Sequence, residues 1–220
     1  MSNASRPGGH TWHEHFEDGG TDGGHGSMTD DPPGRVMSDG GPLSDHVLVS
    51  NAALGDTDAF ELIVARYGPE MFRYARNMLS DHGAAEEVVQ DAFVAAWKGL
   101  DTFRGDSKLR TWLFSMVSHK VVDHRRKRAV APAEDWVFER RSTDARADPE
   151  VSVTNDDFMA DLGRALAELP YRQRACWLLR EVEGMTHPEI GQIMTLSASA
   201  VRGHLVRARA TLSERLAAWQ

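Results

Sequence analysis

Residues 102–128 hold eight basic side chains against two acidic ones, with aromatic residues set among them. The loop Asp101-Thr102-Phe103-Arg104-Gly105-Asp106-Ser107 leads into Arg110-Thr111-Trp112-Leu113-Phe114. Glycine, short polar side chains and an aromatic in one loop suit the capture of an extruded base. Unstacked bases lie on aromatic faces while lysine and arginine hold the phosphates. Trp112 and Phe114 are the candidates for stacking. Lys108, Arg110, Lys120, Arg125, Arg126, Lys127 and Arg128 are the candidates for phosphates. Each has a plainer reading. Trp112 equally suits core packing, and Arg125–Arg128 suit a solvated helix end favoured by the helix dipole.

A second cluster lies near the C-terminus. Thr186-His187-Pro188-Glu189-Ile190-Gly191-Gln192-Ile193-Met194 reads as a short helix, with Thr186 as N-cap and Glu189 three residues on as its capping-box partner. Thr195-Leu196-Ser197-Ala198 makes a tight connection, and a longer helix follows. Ile190, Ile193, Leu196, Val201 and Leu205 would bury the inner faces. This is the helix-turn-helix layout, whose second helix enters the major groove. Arg202, His204, Val206 and Arg207 lie on or near the outer face of that helix. Arginine can hold a guanine edge or a phosphate, and a small apolar residue can touch a thymine methyl. The plainer alternative is a helical hairpin with a solvated basic face.

No other chemistry is indicated. There is no nucleophile–base pair, phosphate loop or HExxH helix. His10, His13, His15 and His25 fall in a polar N-terminal stretch with no cysteine beside them, so no metal site and no cofactor is expected.

These residues need helices to place them, and helical periodicity dominates the chain from Asp45 onward. The spacing predicts helices over 45–54, from 56 or 57 past Ala75, over 83–99, and from just after Ser107 to 127 or 128. Gly68-Pro69 is expected to bend or interrupt the second. Further helices are expected over 157–168, 171–182, 186–194 and 198–217. No strand-like alternation appears. The fold class is all-α, in two small helical domains. The expected division is a disordered tail over 1–44, a first domain over 45–128, a flexible linker over 129–156 and a second domain over 157–220. Trp136-Val137-Phe138 is a sticky point in the linker. Met28 offers an alternative start to the tail.

The formal net charge of −8 argues at first against nucleic acid. The acidity is concentrated in residues 1–45 and 129–158, which carry net −6 and −5, whereas 46–128 and 159–220 carry +1 and +2. A local positive patch matters more to DNA than the whole-chain sum. One cysteine, Cys176, allows no internal disulfide and favours a reducing compartment. No apolar run approaches the ~20 residues of a membrane-spanning helix, and the polar N-terminus does not resemble a secretory signal. A cytoplasmic protein with no membrane insertion is expected.

The run Ala84-Ala85-Glu86-Glu87-Val88-Val89-Gln90-Asp91-Ala92-Phe93-Val94-Ala95-Ala96-Trp97, the FRGDS loop, the RTWLF run and Val122-Asp123-His124-Arg125-Arg126 resemble region 2 of the extracytoplasmic-function sigma factors of bacterial RNA polymerase. Leu166-Ala167-Glu168-Leu169-Pro170, Gln173-Arg174, Glu181-Val182-Glu183-Gly184, Glu189-Ile190 and Val201 with Arg207-Ala208-Arg209 resemble region 4. The likeness spans about 46–128 and 159–217. It implies a non-enzymatic factor that binds the beta-prime and beta subunits of core polymerase, directs it to promoters and helps to melt them. It also implies control by an anti-sigma partner. Glu86, Glu87, Gln90 and Asp91 would face the beta-prime coiled coil. Phe103, Arg104, Gly105, Asp106, Ser107 and Lys108 would capture a flipped base of the minus-ten element. Arg110, Trp112, Ser115, His119, Lys120, Arg125 and Arg126, on the fourth helix, would read that element. Ser199, Arg202, Gly203, His204, Val206 and Arg207 would meet the minus-thirty-five element. The chain departs from the family at His119, where asparagine is common, and at Ala200, Gly203 and His204, where threonine, serine and arginine are frequent. Ser115, His119 and Asp123 share a helix face. His119 therefore either lines the base pocket or pairs with Asp123.

Two rival readings differ in what they leave unexplained. An effector-controlled DNA-binding regulator would use the helix-turn-helix but has no need of the FRGDS loop or the Glu-Glu-Val-Val-Gln-Asp helix. A metal-dependent hydrolase would need more than the tail histidines.

Overall fold

The computed structural model describes residues 43–130 and 149–219, with side chains omitted for 129–130, 149–156 and 218. The expected tail, apart from Leu43 and Ser44, and the linker from 131 to 148, including Trp136-Val137-Phe138, lie outside the described residues.

Short polar side chains start the helices. Ser44 caps α1 (Asp45–Ala53), Asp56 caps α2 (Thr57–Leu79) and Asp81 caps α3 (His82–Gly99), each accepting from a backbone N–H three residues on. Such caps each contribute about 1 kcal/mol. α4 (Leu109–Val130) carries the basic run. In the C-terminal half, α5 (Pro149–Glu168) and α6 (Tyr171–Trp177) are followed by a π-helical turn over Leu178–Val182. Then come α7 (His187–Met194) and α8 (Ala198–Arg215). Among the described residues there is no strand.

Three expectations on helix limits are corrected. α2 runs unbroken through Pro69. The missing N–H and the ring clash disfavour proline there, but buried Tyr67, Gly68, Met71, Tyr74 and Ala75 tie both flanks into the core. α5 begins at Pro149, eight residues before the expected start. Proline suits the first turn of a helix, where its N–H would have no intrahelical partner. The helix expected over 171–182 changes at Leu178 from α to π geometry.

In the N-terminal module α2, α3 and α4 pack around Ile63, Met71, Tyr74, Val88, Val89, Phe93, Leu113 and Phe114. α1 is held to α2 by Asp45, which accepts from Arg66 and from the Tyr67 hydroxyl, both at 2.6 Å. In the C-terminal module α6 packs on α8 and α7 on α8, around Leu179, Met185, Ile190, Ile193, Val201 and Leu205. The two modules are in contact: α7 lies against α4, and α6 touches α2.

Candidate nucleic-acid interface

The loop between α3 and α4 starts with a 3-10 turn, Leu100–Thr102, in which the Phe103 N–H donates to the Leu100 carbonyl. Gly105 takes φ +76, a conformation that costs other residues a Cβ clash. Arg104 and Asp106 are exposed and Ser107 is half-buried. Phe103 and Trp112 pack on each other with centroids 5.0 Å apart, both partly buried. Trp112 thus serves the core edge while keeping some surface. Phe114 does not fit the stacking role expected of it. It is fully buried against Tyr74 and cannot reach a base.

Along α4 the cations reach solvent unequally. Arg125 is exposed and lies 5.2 Å from the centroid of the Tyr171 ring. Arg126 is exposed and donates to Asp123 at 3.1 Å. Among the described residues no His119–Asp123 hydrogen bond forms, and the His119 ring is exposed. The Ser115 hydroxyl turns back to the Trp112 carbonyl at 2.7 Å. Lys120 sits 3.5 Å from Asp91 of α3.

On α3, Glu87, Gln90 and Asp91 are exposed, opposite buried Val88, Val89 and Phe93. Glu86 is half-buried and pairs with His82 at 3.1 Å. Trp97 packs edge-on against Phe60 at 4.9 Å, yet 37% of it stays exposed.

The helix-turn-helix forms as the spacing requires. The Thr186 N–H donates to Glu189 Oε2 at 2.8 Å, and the Glu189 N–H donates to Thr186 Oγ1 at 3.4 Å, closing the capping box. Lys108 and both Thr186 bonds hold the Glu189 carboxyl down to about 2. Gly191 meets the Leu196 carbonyl oxygen so closely that a Cβ would stand 2.6 Å from it. Thr195 takes φ +52 to close the turn, and Ser197 caps α8. Val201 and Leu205 form the buried inner face of α8. Ser199, Arg202, Val206 and Arg207 are exposed, while Gly203 and His204 are half-buried. Arg207 Nη2 lies 3.4 Å from His204 Nδ1. Burial, then the charges of Arg207 and Arg172, push the His204 ring below its usual range.

Sequence reasoning missed the contact between the modules. Glu183, with no exposed side-chain surface, accepts from Arg73 Nε at 3.0 Å and Arg73 Nη2 at 2.7 Å, and from Arg110 Nη2 at 3.3 Å. Glu183 raises Arg73 above its usual value. Arg110 also donates to Glu70 at 2.7 Å, and Lys108 pairs with Glu189 at 2.8 Å. Arg174 of α6, itself buried, donates to the carbonyls of Met78 and Ala167, at the C-terminal ends of α2 and α5. Burial, then Arg125, lower its pKa. The Tyr171 hydroxyl reaches the Ser118 carbonyl at 3.5 Å.

Residues 63–130 match the family model for Sigma-70 region 2, and residues 159–212 match that for Sigma-70 region 4. The chain is 34% identical to the RNA polymerase sigma factor NccH of Alcaligenes xylosoxydans xylosoxydans, over 78% of this chain and 94% of that one. It is 31% identical to the ECF RNA polymerase sigma-E factor of Escherichia coli K12, over 79% and 95%. The chain belongs to the extracytoplasmic-function sigma factors of the sigma-70 family. Its structure resembles that of CnrH in complex with the cytosolic domain of CnrY, with a TM-score of 0.61 at 33% identity, covering 79% of this chain and 97% of that one. As a sigma factor it binds RNA polymerase and initiates transcription. The region 2 match includes the loop between α3 and α4 and all of α4, and the region 4 match includes the helix-turn-helix. Among the described residues no helix is long and apolar enough to cross a membrane. No group of three or more metal-ligating side chains is found among them either.

Proposed function

We propose that the region 2 module, residues 45–128, docks core polymerase through Glu86, Glu87, Gln90 and Asp91 of α3. Its loop Phe103–Lys108 captures a flipped base of the minus-ten element. Arg110, Trp112, Ser115, His119, Lys120, Arg125 and Arg126 of α4 hold the melted strand. The region 4 module, residues 157–220, reads the minus-thirty-five element through Ser199, Arg202, Gly203, His204, Val206 and Arg207. The factor carries out no chemistry of its own and works in the cytoplasm. A protein partner of the anti-sigma kind controls it, a reading supported by the bound state in which CnrH was solved.

The observation that carries the reading is the outer face of α8. Arg202, Val206 and Arg207 are exposed over a buried inner face, on a helix positioned by two caps and the tight Gly191 turn. That is the surface a recognition helix offers to base edges and phosphates. The test is run-off transcription with purified core polymerase and promoters upstream of transcripts induced by the factor. Arg202→Ala with Arg207→Ala should lower initiation at least tenfold, since a good base pairing contributes about 1–3 kcal/mol. It should leave core binding intact. Unchanged initiation by the double variant would remove α8 from promoter reading.

A further inference from the structure

A cleft of about 360 Å³ opens where the C-terminal ends of α2, α4 and α5 meet α6. His124, Arg125 and Arg128 of α4 and Arg174 of α6 line it, together with Met78 and Ala167. Among the described residues no carboxylate does. Asp123, beside His124 in sequence, accepts from Arg126 instead. Arg125 lies over the Tyr171 ring, and none of the four basic side chains has an ion-pair partner among the described residues.

Arg174 is the member that points to a ligand. It is only 6% exposed, and arginine is almost never so buried unless paired. A guanidinium carries five N–H donors, and here the carbonyls of Met78 and Ala167 are the acceptors that meet them. Nε is left buried with no hydrogen-bond partner among the described residues. Burial, then the charge of Arg125, lower the pKa of Arg174, as expected of cations gathered without a counter-charge.

The helix ends oppose an anion here, since each carries about half a negative charge. Three of them amount to about −1.5, against three guanidinium charges before His124 is counted. The cations outweigh the helix ends, and the cleft is positive.

We propose that this cleft binds a compact phosphate anion of the pyrophosphate class, held by Arg125, Arg128 and Arg174 with His124 as a further donor. Guanidinium forks match phosphate oxygens in charge and geometry. The volume falls within the range of small-ligand sites. A phosphate of a nucleic-acid backbone is flanked by sugars on both sides and cannot follow the buried Arg174 into the cleft. A free anion is therefore the occupant.

The full chain is titrated with inorganic pyrophosphate by calorimetry at constant ionic strength, and melted with and without it. One saturable site should appear, and its ligand should raise Tm, as a ligand of the folded state does. His124→Gln with Arg128→Gln should weaken binding about tenfold, the effect of losing a charge-assisted hydrogen bond. Both side chains reach the surface, so the unliganded protein should stay folded by circular dichroism. Arg125, also assigned to promoter contact, is left intact. Lys127→Gln changes a charge at the same helix end but outside the cleft, and should bind as wild type. Dimethyl phosphate, which carries the diester of a nucleic-acid backbone, should bind at least tenfold more weakly than pyrophosphate. No saturable binding at millimolar pyrophosphate, or wild-type affinity in the folded double variant, overturns the site. An equal loss in Lys127→Gln would reduce the effect to general surface charge and overturn it too. Equal binding of dimethyl phosphate would make the cleft a nucleic-acid contact and remove the compact ligand.

Discussion

Glu189 and Lys108 meet at 2.8 Å, although they belong to different modules, one to the cap of α7 and the other to the loop between α3 and α4. One carboxylate oxygen takes the lysine, and the other takes the N–H and hydroxyl of Thr186. The carboxyl is therefore held at about 2, below the ordinary value of about 4.3. A depressed pKa adds stability that is present above the ordinary value and is lost as pH falls through the depressed one. Wild type should melt above Glu189→Gln at pH 5–7. The gap should narrow between about pH 4 and pH 2 and vanish below it. Thermal melts of both proteins across that range check this. A gap of constant size would mean the carboxylate is not the acid-sensitive group.

The surface proposed to dock polymerase is the exposed edge of α3. Charge reversal at Glu87 and Asp91 should weaken core binding at least tenfold. The fold should survive, because both side chains are exposed and Asp91 loses only a surface pair with Lys120 at 3.5 Å. Such pairs contribute at most about 1 kcal/mol. Competition for core against the wild type, beside a urea melt, decides between lost contact and lost structure.

Two glycines of the helix-turn-helix should respond in opposite directions. Gly191→Ala places a Cβ 2.6 Å from the Leu196 carbonyl oxygen, a backbone atom that cannot turn aside. A loss of about 1–3 kcal/mol is expected, as for overpacking elsewhere. Gly203→Ala places its Cβ 3.5 Å from the Arg207 guanidinium, an ordinary contact with a flexible side chain. Alanine should stabilise α8 there by up to about 1 kcal/mol. Urea unfolding of the two variants gives the signs directly.

The two glycines also mark what could be read without coordinates. The caps at Thr186 and Ser197 and the apolar spacing of Ile190, Ile193, Val201 and Leu205 are local signals, so the helix-turn-helix was legible. Gly105 was legible as part of a loop with several short polar neighbours. Phe114 was misplaced because an aromatic between Leu113 and Ser115 looks alike whether it faces bases or Tyr74. Pro69 was read by its local cost, whereas burial on both sides of it kept α2 whole. The Glu183–Arg73 pair left no trace at all. Its partners are 110 residues apart, and an acidic residue before Gly184 reads as an ordinary exposed turn.

His119 is the last case, and the one where sequence and structure together narrow the choice. Asparagine is common at this position in the family, so the substitution falls where base preference is expected to lie. Its pairing with Asp123 does not form, because Asp123 accepts from Arg126 at 3.1 Å. Ser115, one turn earlier, is committed to the Trp112 carbonyl. The imidazole is thus the exposed polar group of that face, free to stack on an extruded base or to hydrogen-bond its edge. His119→Asn should change stability by less than about 0.5 kcal/mol, as surface substitutions usually do. It should alter preference at one minus-ten position. Transcription from promoters carrying all four bases at each minus-ten position measures this. A shift at one position places the ring in the base pocket. An identical profile at an identical rate would mean that His119 reads nothing, and base capture would rest on the Phe103–Lys108 loop.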